Sequence, residues 1–399
     1  MMKTVIIDET GEKFLRGGQV WLYSNNVLRV DPETESGDTV AVRNETGDFI
    51  AYGFYAPEHH IRVRVLTADE KEIPDVSFFR SRLEKAIRFR HERMKENFSN
   101  CRLVFGESDG LPGLVMDRYN DVLVTQISSA GMERIKDMIY KTAEEILAGL
   151  GEVIRAVYER NEIAVRSRES LPLYKGFYSG ENHPTETVII ENGIKIYVDF
   201  EHGQKTGYFL DQKSNRKLLR NYANGKKVLD TFTHTGGFAL NCAYGGASFV
   251  TAVDLSKTAL SQAKRNAVLN GLDAKIEFVQ ADVLEYLDLA EPGEFDMIIL
   301  DPPAFTKSRR TVNHAYNGYK RINKRAMEIL PEGGILATCS CSRYMETGLF
   351  ETMIQESAEE TGKSLKTLSV TFQNEDHPIL PELKNTEYLK FFVFEVHSK

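Results

Sequence analysis

The sequence predicts an α/β protein: a doubly wound, mostly parallel sheet forms the larger part, preceded by a small β-rich unit and a small α+β segment. Three observations predict it. From Val228 to Asp254 the chain reads strand, glycine turn, helix, strand, with an acid at each strand tip. Beyond Asp254, short apolar runs continue to alternate with helical patterns, as βαβ units require. Residues 1–67, by contrast, hold only short strand-like runs broken by turn residues. The chain has 399 residues, too many for one ordinary core. Domains are expected at 1–72, 73–185 and 186–399.

Taken in order, Val5–Ile7, Trp21–Tyr23, Val27–Val30, Asp38–Arg43, Phe49–Tyr55 and Ile61–Leu66 read as strands, with a turn at Arg16–Gly18. The last of these alternates, which places Arg62 and Arg64 on one face and Ile61, Val63 and Val65 on the other. That basic face is either solvated or a phosphate contact. Pro74 to Asn97 is a helix. Arg102–Phe105, Gly113–Asp117 and Val122–Ile127 are strands, Gly131–Leu150 is an amphipathic helix, and strands at Ala156–Tyr158 and Val188–Ile190 complete the middle segment. The charged run Glu159–Glu169 reads as a solvated loop.

Gly193–Phe200 and Glu201–Asp211 lead into the last domain, and Lys213–Tyr222 is a helix. Val228 and Leu229 end the first strand of the parallel sheet at Asp230, and Gly236 and Gly237 permit a tight turn. Phe238, Ala239, Leu240, Cys242 and Ala243 form a helical face, and Ser248–Val253 is the second strand, ending at Asp254. Ser256 suits an N-cap, and Gly271 ends that helix. Ile276–Val279 is the third strand, followed by Asp282, which either caps a helix or meets a ligand. Glu294–Leu300 is a continuous apolar run, as a buried parallel strand should be, and Asp301-Pro302-Pro303 ends it. Gly333–Ser342 is the next strand and its exit.

Composition narrows the function. Hydrophobic residues make up 42% and charged residues 27%, no run spans a bilayer, and the first residues lack a signal core, so a cytoplasmic protein without membrane contact is expected. The 4 cysteines, Cys101, Cys242, Cys339 and Cys341, show neither a disulfide framework nor a zinc spacing, and no metal is expected. A net charge of −8 argues against general adhesion to nucleic acid. The stretch Thr306–Met327 reverses that charge: Lys307, Arg309, Arg310, Lys320, Arg321, Lys324 and Arg325 stand among His314, Tyr316 and Tyr319, with no acid. Such a mixture suits phosphate contact and base stacking, or is a basic helix face.

Ligands of doubly wound sheets bind beyond the carboxyl ends of the strands, where Asp230, Gly236, Gly237 and Asp254 converge. The turn T-H-T-G-G-F lacks the G-x-G-x-x-G spacing of a pyrophosphate site. An acid after the second strand suits a ribose diol. A ribose without a pyrophosphate points to S-adenosylmethionine.

The run Asp230-Thr-Phe-Thr-His-Thr-Gly-Gly-Phe238 resembles motif I of class I methyltransferases. Gln204-Lys-Thr-Gly-Tyr-Phe-Leu-Asp-Gln212, Asp254-Leu-Ser256, Asp301-Pro-Pro-Ala-Phe305 and Ser340-Cys-Ser342 follow the pattern of the bacterial 23S ribosomal RNA cytosine-C5 methyltransferases of the RlmI type. The likeness spans essentially the whole chain. It implies a PUA β-barrel, a middle α+β domain and a Rossmann-like methyltransferase domain with a mostly parallel seven-stranded sheet. It also implies S-adenosylmethionine as cofactor, 23S rRNA as partner, and a homodimer in some relatives.

The resemblance places Gln204, Lys205, Thr206, Asp230, Phe232, Thr235, Gly236, Gly237, Asp254, Ser256, Asp282, Asp301 and Pro302 at the cofactor. It places Arg62, Arg64, Lys307, Arg309, Arg310, Tyr319, Lys320 and Arg321 at the RNA. Cytosine C5 is a poor nucleophile, and addition of a thiolate to C6 activates it. Ser340-Cys341-Ser342 assigns that thiolate to Cys341, with Asp301 assisting at the base, while Thr338-Cys339-Ser340 resembles the nucleophile segment of other RNA cytosine methyltransferases. Two alternatives stay open at this point: a guanine N7 or exocyclic-amine methyltransferase without a covalent step, and a non-catalytic RNA-binding assembly factor.

Overall fold

The computed structural model describes residues 2–306 and 308–399, Asn385 through its backbone only. The chain divides into two compact units. The first comprises Met1–Ile189, Val198–Leu210 and Glu375–Thr386; the second comprises Ile190–Tyr197, Asp211–Asn374 and Glu387–Lys399.

The first unit opens with β1 (Lys3–Ile7), α1 (Glu9–Arg16), β2 (Trp21–Tyr23), β3 (Val27–Val30), β4 (Thr39–Arg43), β5 (Phe49–Tyr55) and β6 (Ile61–Thr67). The strands form one sheet in the order β2-β6-β5-β4-β1-β3, parallel only between β1 and β4. Helix α1 was not expected. Its signal is nonetheless in the sequence: Asp8 caps it by accepting from Gly11 N, acids open it and basic residues close it, as the helix dipole favours. Val5, Ile7, Val40, Val42, Ala51 and Val63 fill the core of this sheet.

The second face of β5 and β6 is covered as well. Phe54 and Leu66 belong to another core, shared with α2 (Val76–Met94), β7 (Asn100–Phe105), β8 (Leu114–Tyr119), β9 (Val122–Ile127) and α3 (Ala130–Gly149). A bulge makes this double burial work. Tyr52 pairs with Thr67 and Gly53 with Val65, so Leu66 is the extra residue and breaks the alternation. Arg64 is buried as a result. Its guanidinium lies 3.0 Å from Glu169 and 3.3 Å from Glu107, which removes it as a phosphate contact. Alternation showed which residues share a face but not what covers that face.

The middle sheet runs β11-β10-β9-β8-β7, with β10 (Ala156–Arg160) and β11 (Lys175–Ser179) following α3. The expected strand at Val188–Ile190 is instead part of a separate hairpin, β12 (Glu186–Glu191) with β13 (Ile194–Asp199). The real fifth strand, Lys-Gly-Phe-Tyr-Ser, starts with an exposed lysine and a glycine and shows no alternating burial. The run Glu159–Glu169 is not a solvated loop. Glu159, Arg160, Arg166 and Glu169 are buried. Arg166 donates to Ile127 O at 2.7 Å and to Glu133, and Glu159 accepts from Lys136 and Tyr140. Pairing makes charge burial tolerable, and composition alone does not reveal pairing.

The second unit holds α4 (Lys213–Ala223), β14 (Lys227–Thr231), α5 (Gly237–Tyr244), β15 (Phe249–Asp254), α6 (Lys257–Leu269), β16 (Ile276–Gln280), α7 (Val283–Leu289), β17 (Met297–Leu300), α8 (Val312–Ile329), β18 (Gly334–Ser340), α9 (Thr347–Glu360), β19 (Lys363–Thr371) and β20 (Lys390–Ser398). Its seven-stranded sheet runs β16-β15-β14-β17-β18-β20-β19. The first five strands are parallel, and β20 is antiparallel to both β18 and β19. Chain order reverses between β14 and β17, so the crevice at their carboxyl ends is the topological switch point. Asp230 and Asp301 stand there.

Candidate active site

β14 delivers Asp230 to the crevice fully buried. The turn that follows is wound tightly: Phe232 and His234 take φ of 55° and 51°, in the left-handed region that side chains disfavour. Gly236 has φ 83°, and a Cβ there would stand 3.1 Å from the Ala263 Cβ, so glycine answers both demands. The turn brings Thr233 and the start of α5 back onto Asp230. Its Oδ2 accepts from Thr233 Oγ1 at 2.6 Å and from Ala239 N at 2.9 Å. Its Oδ1 is buried with no hydrogen-bond partner. Burial pushes the Asp230 carboxyl up to about 7, and the nearby Asp301 and Asp254 add to the effect.

β15 ends on Asp254, whose Oδ2 accepts from His234 N at 2.9 Å and Oδ1 from Ser256 N at 2.8 Å. Ser256 caps α6, accepting from Ala259 N, and Asp282 caps α7, accepting from Leu284 N and Glu285 N. Thr235 and Gly237 use their carbonyls locally, accepting from Asn266 and Asn241. An orphaned buried carboxylate oxygen suits a cationic ligand group, and a half-buried carboxylate on the next strand suits a diol. These residues therefore fit a cofactor that carries both.

β17 ends at Leu300 and hands the chain to Asp301, with Pro302 buried behind it. Asp301 Oδ1 accepts from the Cys339 thiol at 2.8 Å and from Gln212 Nε2 at 3.2 Å. Gln212 Nε2 also lies 3.6 Å from Cys339 Sγ. Cys339 is sealed inside the sheet, and burial, then Asp301, pushes its thiol well above the usual range. Cys341 is half-buried where the chain leaves β18, its Sγ 3.9 Å from Pro302 O. The two cysteines thus occupy opposite environments. A dry thiol facing a carboxylate resists ionisation.

Two of the expected contacts, Thr206 and Tyr319, are corrected, and two others, Lys320 and Arg321, stand in ion pairs. Thr206 is fully buried, its hydroxyl donating to Asp117 and lying 3.0 Å from Tyr119 Oη, so its side chain serves the first unit and not a cofactor. Gln204 and Lys205 are exposed, with the Lys205 ammonium 4.5 Å from the Phe209 ring centre. Tyr319 is a core residue rather than a stacking platform: it is fully buried against Phe305 and Phe350, and its hydroxyl meets Ser340 and Ser342 at 3.0 Å each. Lys320 is 2.7 Å from both Glu356 and Glu360, and Arg321 is 2.8 Å from Asp288. Acids of α9 and α7 thereby neutralise the basic face of α8, which a reading of that segment alone could not foresee. Arg309 and Arg310 are exposed and Arg62 is half-buried; Lys307 lies outside the described residues.

Two residues went unassigned. Gln212 sits at the end of the quoted Gln204–Gln212 segment, which was its signal. Lys390, buried at the start of β20, donates to Ser342 O at 2.8 Å, and nothing in the sequence around it marks a functional lysine. Among the described residues, no group of three or more His, Cys, Asp or Glu could hold a metal, and no helix is long and apolar enough to cross a membrane.

Comparison with known proteins agrees with this fold. The profile of an S-adenosylmethionine-dependent methyltransferase family matches residues 156–395, and that of a PUA-like domain matches residues 5–68. The ribosomal RNA large subunit methyltransferase I of Photobacterium profundum is 41% identical over 397 residues, covering 98% of this chain and 99% of that protein. The protein of the same name from Escherichia coli O139:H28 is 38% identical over 400 residues, covering 99% and 100%. Among solved structures, a candidate S-adenosylmethionine-dependent methyltransferase from Streptococcus mutans shares the fold with a TM-score of 0.81 at 23% identity, covering 99% of this chain and 100% of that one. The chain is a methyltransferase that uses S-adenosylmethionine, and it belongs to the family of ribosomal RNA large subunit methyltransferase I.

Proposed function

We propose that the protein methylates C5 of a cytosine in 23S ribosomal RNA through a covalent bond between Cys341 and C6. The observation that carries this reading is the contrast between the cysteines of β18: Cys341 is half-buried beside Pro302, and Cys339 is sealed against Asp301. The names of the close relatives support ribosomal RNA of the large subunit as the substrate class.

Asp230 and Asp254 hold the cofactor, Asp230 through its unpaired oxygen and Asp254 through the lone pairs left after His234 N and Ser256 N are served. Gly236 and Gly237 let the backbone approach, and Phe232, Thr235, Ser256, Asp282 and Pro302 frame the same crevice. When bound, S-adenosylmethionine supplies an electrophilic methyl group on a sulfonium. The Cys341 thiolate would add to C6 and push an electron pair onto C5; that pair would bond to the methyl as the S–CH3 bonding pair returns to the cofactor's sulfur, which leaves as a neutral thioether. Asp301 assists at the N3 edge of the base. Loss of the C5 proton to a base then returns the electron pair and expels the thiolate. Arg62, Arg309 and Arg310 remain as contacts to RNA phosphates. The enzyme works in the cytoplasm, and a homodimer belongs to the same reading.

A second assignment has one observation in its favour: Cys339 is the thiol that touches Asp301, so a proton could pass directly between them. One experiment separates the two. RNA containing 5-fluorocytosine, which has no removable C5 proton, should accumulate as a protein–RNA adduct. Cys341→Ala should abolish the adduct, and Cys339→Ala should retain it. Undiminished trapping by Cys341→Ala would overturn the assignment, and trapping by neither parent nor variants, with methylated guanine in the product, would overturn the reaction class.

A further inference from the structure

Lys390 opens β20, directly across from Ser340, the last residue of β18. Only 1% of its surface is exposed. Its Nζ donates to Ser342 O at 2.8 Å and to Tyr388 O at 3.0 Å. The lysine is therefore tied to the chain on both sides of Cys341: by the strand pairing to the residue before it, and by the ammonium to the carbonyl after it. Ser340 and Ser342 are fixed further by the Tyr319 hydroxyl, and Ser342 N donates to Ser340 Oγ. The peptide segment that carries Cys341 is held at each neighbouring residue.

The ammonium is held by two backbone carbonyls. Among the described residues no carboxylate lies within ion-pair distance of it. A buried cation served only by neutral carbonyls is expensive, and it lowers its cost when an anion forms nearby. On the reading that Cys341 is the nucleophile, we propose that Lys390 is its positioning residue: the ammonium holds the Ser340–Ser342 segment in place and favours the sulfur of Cys341 as the thiolate. Coupling of this kind is reciprocal, so whatever the thiolate does for the ammonium, the ammonium does for the thiolate.

The surrounding charges agree. Burial draws Lys390 down to about 8, while Cys341, Glu387, Cys339 and Glu346 act in the opposite direction, Cys341 foremost among them. Glu346 and Glu387 flank the segment, Glu387 already accepting from Thr347 Oγ1. Tyr319 on α8 is pushed up by burial and stays neutral, and Cys339 stays protonated against Asp301. Arg343, the remaining cation beside Cys341 in sequence, is exposed. Among the described residues, Lys390 is a buried cation tied to this segment. An equivalent role would not fall to a neutral residue of the same length, because only the charge distinguishes the two forms of the sulfur.

The test uses the full chain without RNA, so it does not depend on the substrate. The rate at which iodoacetamide captures Cys341 is followed by peptide mass spectrometry from pH 6 to 10. The parent should show a midpoint below the ordinary thiol value of about 8.5. Lys390→Met should slow capture at pH 7 about tenfold, a rise of about one pH unit in the midpoint. Lys390→Arg, which restores the cation, should keep the parental midpoint. A parental midpoint at or above the ordinary value overturns the proposal without any variant, and so does a folded Lys390→Met chain with the parental profile. If Lys390→Met does not fold, the parental midpoint and Lys390→Arg decide. RNA trapping by Cys341→Ala reports separately on whether Cys341 is the nucleophile at all.

Discussion

Replacing Asp230 by asparagine should stabilise the cofactor-free protein at pH 8 while weakening cofactor binding. The sign follows from the site. Asp230 is fully buried, one oxygen lacks a partner, and its carboxyl titrates at about 7 instead of 3.8. The folded state keeps that proton up to about pH 7, whereas the unfolded chain releases it near 3.8. The stabilisation from the retained proton is therefore full below 3.8 and disappears as pH rises through 7. A displacement of that size corresponds to about 4 kcal/mol, an upper figure because buried sites relax. Asparagine has the same shape, stays neutral and can accept the same bonds from Thr233 and Ala239. The two proteins should be equally stable near pH 4, diverge steadily to about pH 7 and keep a constant gap above it, asparagine ahead. The difference between urea unfolding curves isolates Asp230 from the other carboxylates, which titrate alike in both. Calorimetry with S-adenosylhomocysteine should show parental affinity falling about tenfold for each pH unit below 7, as only the ionised form binds well, with the variant weak and flat. Parallel stability curves from pH 5 to 8 would refute the assignment of a buried, partner-poor carboxyl.

Other substitutions test the remaining contacts. Gln212→Leu removes the amide that donates to Asp301, and kcat should fall about tenfold to a hundredfold while cofactor affinity changes little, read by steady-state kinetics. Arg64→Met leaves Glu107 and Glu169 without their cation and should cost about 3–5 kcal/mol in urea unfolding, with the salt dependence of RNA binding unchanged. Thr206→Val should destabilise the first unit by about 1–2 kcal/mol, since Asp117 loses a donor, and leave S-adenosylhomocysteine affinity as it was.

The part of the site written in consecutive residues was legible from the sequence. Asp230, Gly236, Gly237 and Asp254 lie within one strand–turn–helix–strand passage, so local patterning places them on one sheet edge. Asp301-Pro-Pro marks its own strand end. What pairing decides was not legible. Arg64, Tyr319, Lys320 and Arg321 read as RNA contacts from their own segments, yet their partners, Glu107, Glu169, Ser342, Glu356, Glu360 and Asp288, come from elsewhere in the chain. The same holds for Glu159–Glu169, where Glu159, Arg160, Arg166 and Glu169 are buried with partners while Glu162 and Arg168 stay exposed. Helix α1 was missed for a different reason: it is short and mostly polar, and its signal lies in the cap and the charge order at its ends.

The position of β20 has a consequence for how the enzyme is made. It lies between β18 and β19, yet it is synthesised about fifty residues after β18. While the ribosome is still extending the chain, the strand bearing the thiols has an open edge, and closing it needs a long-range pairing of the slow kind. Lys390 arrives with that same strand. A nascent polypeptide thus holds Asp230, Asp254 and Asp301 well before it holds Lys390, and the segment around Cys341 receives its last tether only when the final strand arrives.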